Sequence, residues 1–156
     1  MNSYSIEQVL PHRQPMILID SLCQYDDESA ICSVKITESS LFYDSSQQAV
    51  PSYIGVEYMA QAIAALAGAD ALDANLEVEI GYLLGSRKYQ PTTAWFALGS
   101  DLNIHVSRLY EEDSGLRVFQ CQIKHNSENL VDAKINVFLP QRAAQQAQSN
   151  DVEIKP

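Results

Sequence analysis

Glu57 and Gln61 stand one helical turn apart in the run from Pro51 to about Gly68, and Glu57 is the only charged residue from Ile54 to Gly68. Residues four apart share a helix face. A surface helix spreads several charges over its wet side, so this pattern predicts an enclosed helix and a partly buried carboxyl. Burial disfavours the ionised form and raises a carboxyl's pKa toward the range useful for proton transfer. The plainer reading is a Glu that hydrogen-bonds a neighbouring strand or caps a partner, because structural networks perturb carboxyls as well. Cys23, Cys32 and Cys121 are odd in number, have no metal-type spacing, and stand beside only three His. The expectation is three buried, reduced thiols in a cytoplasmic protein, without a zinc site.

The element that carries Glu57 reads as a helix of about eighteen residues, ~27 Å long at ~1.5 Å per residue. Pro51 suits its first turn and Gly68 its C-terminal end. Val56, Met59, Ile63 and Leu66 form the core stripe. Glu57, Gln61, Ala64 and Gly68 line the opposite face, where small residues let a strand, a partner subunit or a ligand come near the backbone.

The remaining elements are mostly strands. Ser5 to Leu10 reads as a short helix capped by Ser5 and ended by Pro11. Met16 to Tyr25 and Ser29 to Thr37 read as two antiparallel strands around Asp26-Asp27-Glu28. A polar loop from Glu38 to Val50 holds the pair Phe42-Tyr43 and leads into the helix, so it is placed to wall a site beside Glu57. An acidic connector, Asp70 to Glu79, precedes strands at Ile80 to Tyr89, Ala97 to Tyr110 with its start near Asp101, Leu116 to His125 and Leu130 to Leu139. The resulting architecture is α+β: one long central helix wrapped by a curved antiparallel sheet of about five to six strands, one domain over 1–140. Residues 141–156 are poor in apolar side chains and read as a flexible tail.

The chain has 156 residues, 10 Lys plus Arg against 20 Asp plus Glu, and a formal charge of −10. That balance argues against nucleic acid or an anionic membrane surface as partner, since both need a basic footprint. No apolar run approaches the length of a membrane span, and the N-terminus lacks the charged and apolar regions of a signal peptide. Arg87-Lys88 is a local basic pair in this acidic background.

Leu10-Pro11-His12-Arg13-Gln14-Pro15-Met16-Ile17-Leu18-Ile19-Asp20 resembles the N-terminal motif of the 3-hydroxyacyl-[acyl-carrier-protein] dehydratases of the hot-dog fold. Pro51 followed by Glu57-Tyr58-Met59-Ala60-Gln61 is similar to that family's central-helix motif. Arg87-Lys88-Tyr89-Gln90-Pro91, then Gly99 and Asp101, resembles the strand and turn that follow. The likeness spans about residues 5 to 140 and looks nearest to the stand-alone dehydratase-like branch associated with aryl-polyene-type lipid biosynthesis.

The resemblance implies a dimer joined sheet edge to edge, with the active site at the interface and no cofactor or metal. A helix Glu there protonates the departing hydroxyl, a His from the partner's loop takes the proton beside the thioester carbonyl, and a backbone N–H at the helix start polarises that carbonyl. Glu57 occupies the Glu position. The His position falls on Tyr43, a poor base because a phenol titrates near ~10, and Ser52 stands where the family has Gly. The resemblance implies substrate contacts from Tyr43, Ser52, Tyr53 and Gln61. Arg87 and Lys88 would meet an acidic acyl carrier protein or a pantetheine phosphate, or else are ordinary solvated strand charge.

Three readings of the missing base follow: His12 swings into the site; a paralogous hot-dog subunit donates the His in a heterodimer; or the chain binds acyl groups as a non-catalytic partner. A hot-dog thioesterase, with Glu57 activating water on an acyl carrier protein or coenzyme A thioester, is the remaining alternative to a dehydratase. His105 and His125 fall in strand patterns, at surface or satisfied core positions.

Overall fold

A computed structural model describes residues 3–139. In chain order it contains α1 (Ile6–Val9), β1 (Ser21–Tyr25), β2 (Ser29–Lys35), β3 (Ala49–Pro51), a 3-10 turn (Ser52–Ile54), α2 (Gly55–Asp73), β4 (Tyr82–Pro91), β5 (Trp95–Ala97), β6 (Asp101–Glu111), β7 (Leu116–His125) and β8 (Glu128–Phe138). Six strands form one antiparallel sheet in the order β1-β2-β6-β7-β8-β4, and β3 pairs with β5 in a separate ribbon. This is the expected hot-dog arrangement of one long helix against a six-stranded sheet. The tail expected at 141–156 lies outside the described residues.

Alternation of buried and less buried residues sets the sheet's inner face. Ala30, Cys32 and Val34, then Leu102, Ile104 and Val106, then Phe119, Cys121 and Ile123, then Val131, Ala133 and Ile135 are all buried. Their neighbours along β2, β6 and β8 are less buried, as the period of two requires, whereas in β7 Arg117 and Val118 are buried beside Phe119. Register breaks in the β1–β2, β4–β8, β6–β7 and β7–β8 pairs insert bulges. Each bulge bends its strand and adds twist, which lets the sheet curl around α2.

Several boundaries differ from the sequence expectation, among them the start of the central helix, expected at Pro51 and found at Gly55 after the 3-10 turn. The strand expected over Met16 to Tyr25 is assigned as strand only from Ser21 onward: the Met16 carbonyl and the Leu18 N–H bond to Gln61 of α2, while the Asp20 N–H donates to the Ser33 carbonyl of β2. The β3–β5 ribbon was not anticipated; its three-residue strands are too short to show a period. The helix runs past Gly68 to Asp73. Its end is set by Asn75 in the left-handed region (φ 58°), with the Leu76 N–H donating to the Ala71 carbonyl at 2.8 Å. That six-residue reach back to a helix carbonyl is a Schellman-type stop. The Asp73 carboxylate accepts hydrogen bonds from the phenols of Tyr4 and Tyr25 at 2.5 and 2.7 Å, tying the last turn to the N-terminal segment and to β1.

Gly68 therefore has another role. A Cβ on it would lie 1.9 Å from the Val9 carbonyl oxygen. The helix accepts glycine's lower propensity there so that the backbone ending α1 can lie directly on α2.

Candidate active site

The site begins with how the N-terminal segment is laid over α2. Ser5 caps α1, and the Gln8 side chain reciprocates in a capping box. Val9 and Leu10 are buried, with Val9 seated on Gly68. The Arg13 guanidinium turns back and donates to the carbonyls of Leu10 and His12 at 3.1 and 2.7 Å, closing the turn that carries His12. Farther on, the segment meets Gln61, whose Nε2 donates to the Met16 carbonyl and whose Oε1 accepts from the Leu18 N–H, both at 2.8 Å. His12 is thus held between two points of attachment to the helix.

This layout brings the His12 Nε2 to 4.0 Å from the Glu57 Oε1. Both side chains stay accessible, at 32% and 39%. Glu57 is at the mouth of a cleft in the single chain, not in the dry slot that the uncharged helix suggested. The His12 Nδ1 is buried and, among the described residues, has no hydrogen-bond partner.

His12 and Glu57 open onto a cleft of about 240 Å³ lined by Ala60, Ala64 and Ala67 of α2, Leu83 of β4, and Val137 and Leu139. Glu79 also lies on its wall. Small side chains on one helix stripe, facing apolar side chains from the sheet end, make a slot suited to a narrow apolar group with the carboxyl and imidazole at its entrance.

The face assigned to Glu57, Gln61, Ala64 and Gly68 is divided in two. Glu57 and Ala64 join Ala60 and Ala67 on the cleft, while Gln61 and Gly68 turn to the N-terminal segment. Gln61 is fully buried, its amide bonded to Met16, Leu18 and Glu57, so it backs the site without facing the cleft. Of the core stripe, Met59, Ile63 and Leu66 are buried as expected, and Val56 is only partly buried.

The other expected substrate contacts stand elsewhere in this chain. Ser52 is buried, its N–H donating to the Ala94 carbonyl at 2.9 Å and its carbonyl accepting from the Tyr89 hydroxyl. Gly55 makes room for that phenol, since a Cβ there would come within 2.3 Å of the Tyr89 oxygen. Tyr43 packs against the core, whereas its neighbour Phe42 is exposed with φ 69°. The loop before β3 does not wall the Glu57 cleft; Ser39, Ser40 and Leu41 line a different groove beside Tyr58. Tyr53 is 68% exposed, and Arg87 and Lys88 are exposed on β4, where Lys88 has φ 53° at a bulge.

His105 lies on the outer face of the sheet, and burial followed by the Lys124 charge lowers its pKa. His125 contacts the Asp101 carbonyl through Nδ1 at 3.1 Å. Cys32 and Cys121 are buried and unpaired, but Cys23 is exposed, so the expectation of three buried thiols fails at the edge strand β1. Among the described residues no group of His, Cys, Asp and Glu is arranged to hold a metal ion, and no helix is long and apolar enough to cross a membrane.

A family model described as ApeP-like, ApeP dehydratase, matches residues 4–148. The chain belongs to the ApeP-like dehydratase family. It is also 31% identical over 137 residues to the 3-hydroxyacyl-[acyl-carrier-protein] dehydratase FabZ of Bartonella quintana, covering 84% of each chain. The FabZ of Bartonella henselae is 30% identical with the same coverage. Among solved structures, the dehydratase heterocomplex ApeI:P from Xenorhabdus doucetiae superposes with a TM-score of 0.84 at 24% identity, over 94% of this chain and 99% of that one. A hypothetical thioesterase protein with coenzyme A from Streptococcus pneumoniae superposes less well, with a TM-score of 0.60 at 12% identity over 76% and 84% of the two chains. Both structures share the fold; the ApeP-like assignment rests on the family model and the FabZ relatives.

Proposed function

We propose that this ApeP-like chain takes part in eliminating water from 3-hydroxyacyl thioesters, with Glu57 as the general acid and His12 as the base within its own chain. The observation that carries this reading is the 4.0 Å approach of His12 and Glu57 at the mouth of the cleft. β-Elimination needs an acid and a base that reach neighbouring carbons of one substrate, and two groups this close can do so from one side. The His12 Nε2 takes the proton from the carbon beside the thioester carbonyl. That C–H electron pair becomes the new C=C bond as the C3–O bond breaks. Glu57 delivers its proton to the departing oxygen, which leaves as water. The imidazolium then faces the new carboxylate, and return of its proton to the Glu57 carboxylate restores the starting state. Protons are transferred and water leaves with no net oxidation or reduction, so the step as written calls on no cofactor.

A second reading has its own observation. A His whose Nε2 acts as base carries its hydrogen on Nδ1, and that atom of His12 is buried with no acceptor among the described residues. An unmet buried donor costs on the order of 1–3 kcal/mol. This favours a mixed dimer in which a paralogous hot-dog subunit donates the base and His12 orients Glu57. The exposed Arg87 and Lys88 would receive an acidic acyl carrier protein or the phosphate of a pantetheine arm, including that of coenzyme A. The proposal sets the reaction in the cytoplasm.

The test incubates the purified chain, alone and then with a paralogous subunit, with a 3-hydroxyacyl thioester while enoyl product and free thiol are followed. Enoyl product from the chain alone, lost in Glu57→Gln and in His12→Asn, supports the first arrangement. Product only with the second subunit, still lost in Glu57→Gln, supports the mixed dimer. Thiol release without enoyl product would replace both with thioester hydrolysis.

A further inference from the structure

Behind the Glu57 carboxyl, α2 carries a primary amide that is sealed from solvent. Gln61 Nε2 donates to Glu57 Oε1 at 3.1 Å and to the Met16 carbonyl at 2.8 Å, while its Oε1 accepts from the Leu18 N–H at 2.8 Å. Both N–H donors are engaged, and the residue has no exposed surface. The orientation of this amide is forced. Turned over, it would set its NH₂ against the Leu18 N–H and its oxygen against the Met16 carbonyl, two repulsive contacts in a buried place. The donor aimed at Glu57 is therefore chosen by the backbone of residues 16–18 and not by the carboxyl itself.

We infer that Gln61 is a positioning residue for proton transfer: it holds Oε1 of Glu57 as a permanent acceptor and so assigns the transferable proton to Oε2. This rests on the reading of Glu57 as the acid. Among the described residues Oε2 has no hydrogen-bond partner, so it is the oxygen left to hold and deliver a proton. The same donor serves the neutral and the ionised carboxyl, and the group need not rotate between them. Preorganisation of this kind removes reorganisation from the reacting step. The amide also fastens the segment that follows His12 to the helix that carries Glu57, so one side chain sets the position of both groups.

Two measurements test this. The first compares Gln61→Met, which keeps the volume and loses the hydrogen bonds, in the native chain and in a Glu57→Asp background whose shortened carboxyl is withdrawn from the amide. It uses whichever assembly forms enoyl product. Gln61→Met is expected to lower kcat by about 10- to 100-fold, with KM within about twofold, in the native background, and to change little in the Glu57→Asp background. Equal losses in both backgrounds, or an unchanged kcat in the first, would overturn the inference. The second needs no turnover: the Gln61 side-chain ¹⁵N–¹H resonances are expected to move in Glu57→Leu, and unmoved resonances would overturn it even where Gln61→Met does not fold. Native-like activity in Glu57→Gln would instead remove the dehydratase reading, while the resonance shift would still report the hydrogen bond.

Discussion

His12 Nε2 and Glu57 Oε1 lie 4.0 Å apart although they belong to different elements, one on the turn after α1 and the other in the first turn of α2. The contact is longer than a hydrogen bond and suits two groups that work on a common substrate. Glu57→Gln keeps the size and the hydrogen-bonding oxygen but carries no transferable acid proton. We expect enoyl formation to fall by about 10²- to 10⁴-fold, the usual contribution of a positioned acid or base. Steady-state kinetics, with thermal melting to verify the fold, checks it.

Gly68→Ala reverses the usual sign of a glycine-to-alanine change in a helix. Propensity alone would favour alanine by about 1 kcal/mol. Here the new methyl meets the Val9 carbonyl oxygen at 1.9 Å, so α1 has to lift from α2. We expect a net loss of about 1–3 kcal/mol, the range for overpacking. At roughly 2–4 °C per kcal/mol for a chain of this size, the midpoint falls by about 2–12 °C. Differential scanning calorimetry decides the sign.

The thiols should separate by burial. Burial, with a smaller contribution from Cys23, pushes Cys32 up to about 12, and burial also pushes Cys121 up. Neither forms a thiolate in the folded chain near pH 8, whereas Cys23 is exposed on β1. Iodoacetamide at that pH is expected to alkylate Cys23 alone in the native state and all three thiols in denaturant, as mass spectrometry of the peptides would show.

The same shifts set an alkaline limit on stability. Burial, followed by the Asp20 charge, pushes Tyr58 up to about 12. For a group whose folded pKa is raised, the unfolded chain releases its proton first as pH climbs. The stability from Cys32 and Tyr58 is therefore complete below about pH 8.5, and it declines from the unfolded values near ~8.5 and ~10 up to about 12. Urea midpoints are expected to be level from pH 7 to 8 and to fall above pH 9; a rise in that window would contradict the burial of these groups.

The free edge of the sheet leads to a prediction about assembly. Among the described strands β4 pairs only with β8, on one side, and Ile80, Tyr82, Leu83 and Leu84 are exposed around its start. An unpaired edge with apolar side chains is a template for another strand. Leu84→Lys puts a charge there and is expected to shift the sedimentation mass of the proposed edge-to-edge dimer toward the 17.3 kDa single chain. An unchanged mass would place the subunit contact elsewhere.

Much of this protein is legible from its residues in order. The lone charge on an alanine-rich helix marks Glu57, and the period of two marks β2, β7 and β8, because both patterns are local consequences of which face meets the core. Ser5 as the cap of α1 and the His12 and Glu57 motifs are legible for the same reason: each is a short run. The meeting of His12 with Glu57 was decided by tertiary structure, since it depends on Val9 lying against Gly68 and on Gln61 binding Met16 and Leu18. The end of α2 at Asp73, the withdrawal of Gln61 and Ser52 from the cleft, and the exposure of Cys23 have the same origin. Periodicity tells a side chain which way to face, but only the chain packed across it determines whether that direction holds a ligand, a backbone carbonyl or solvent.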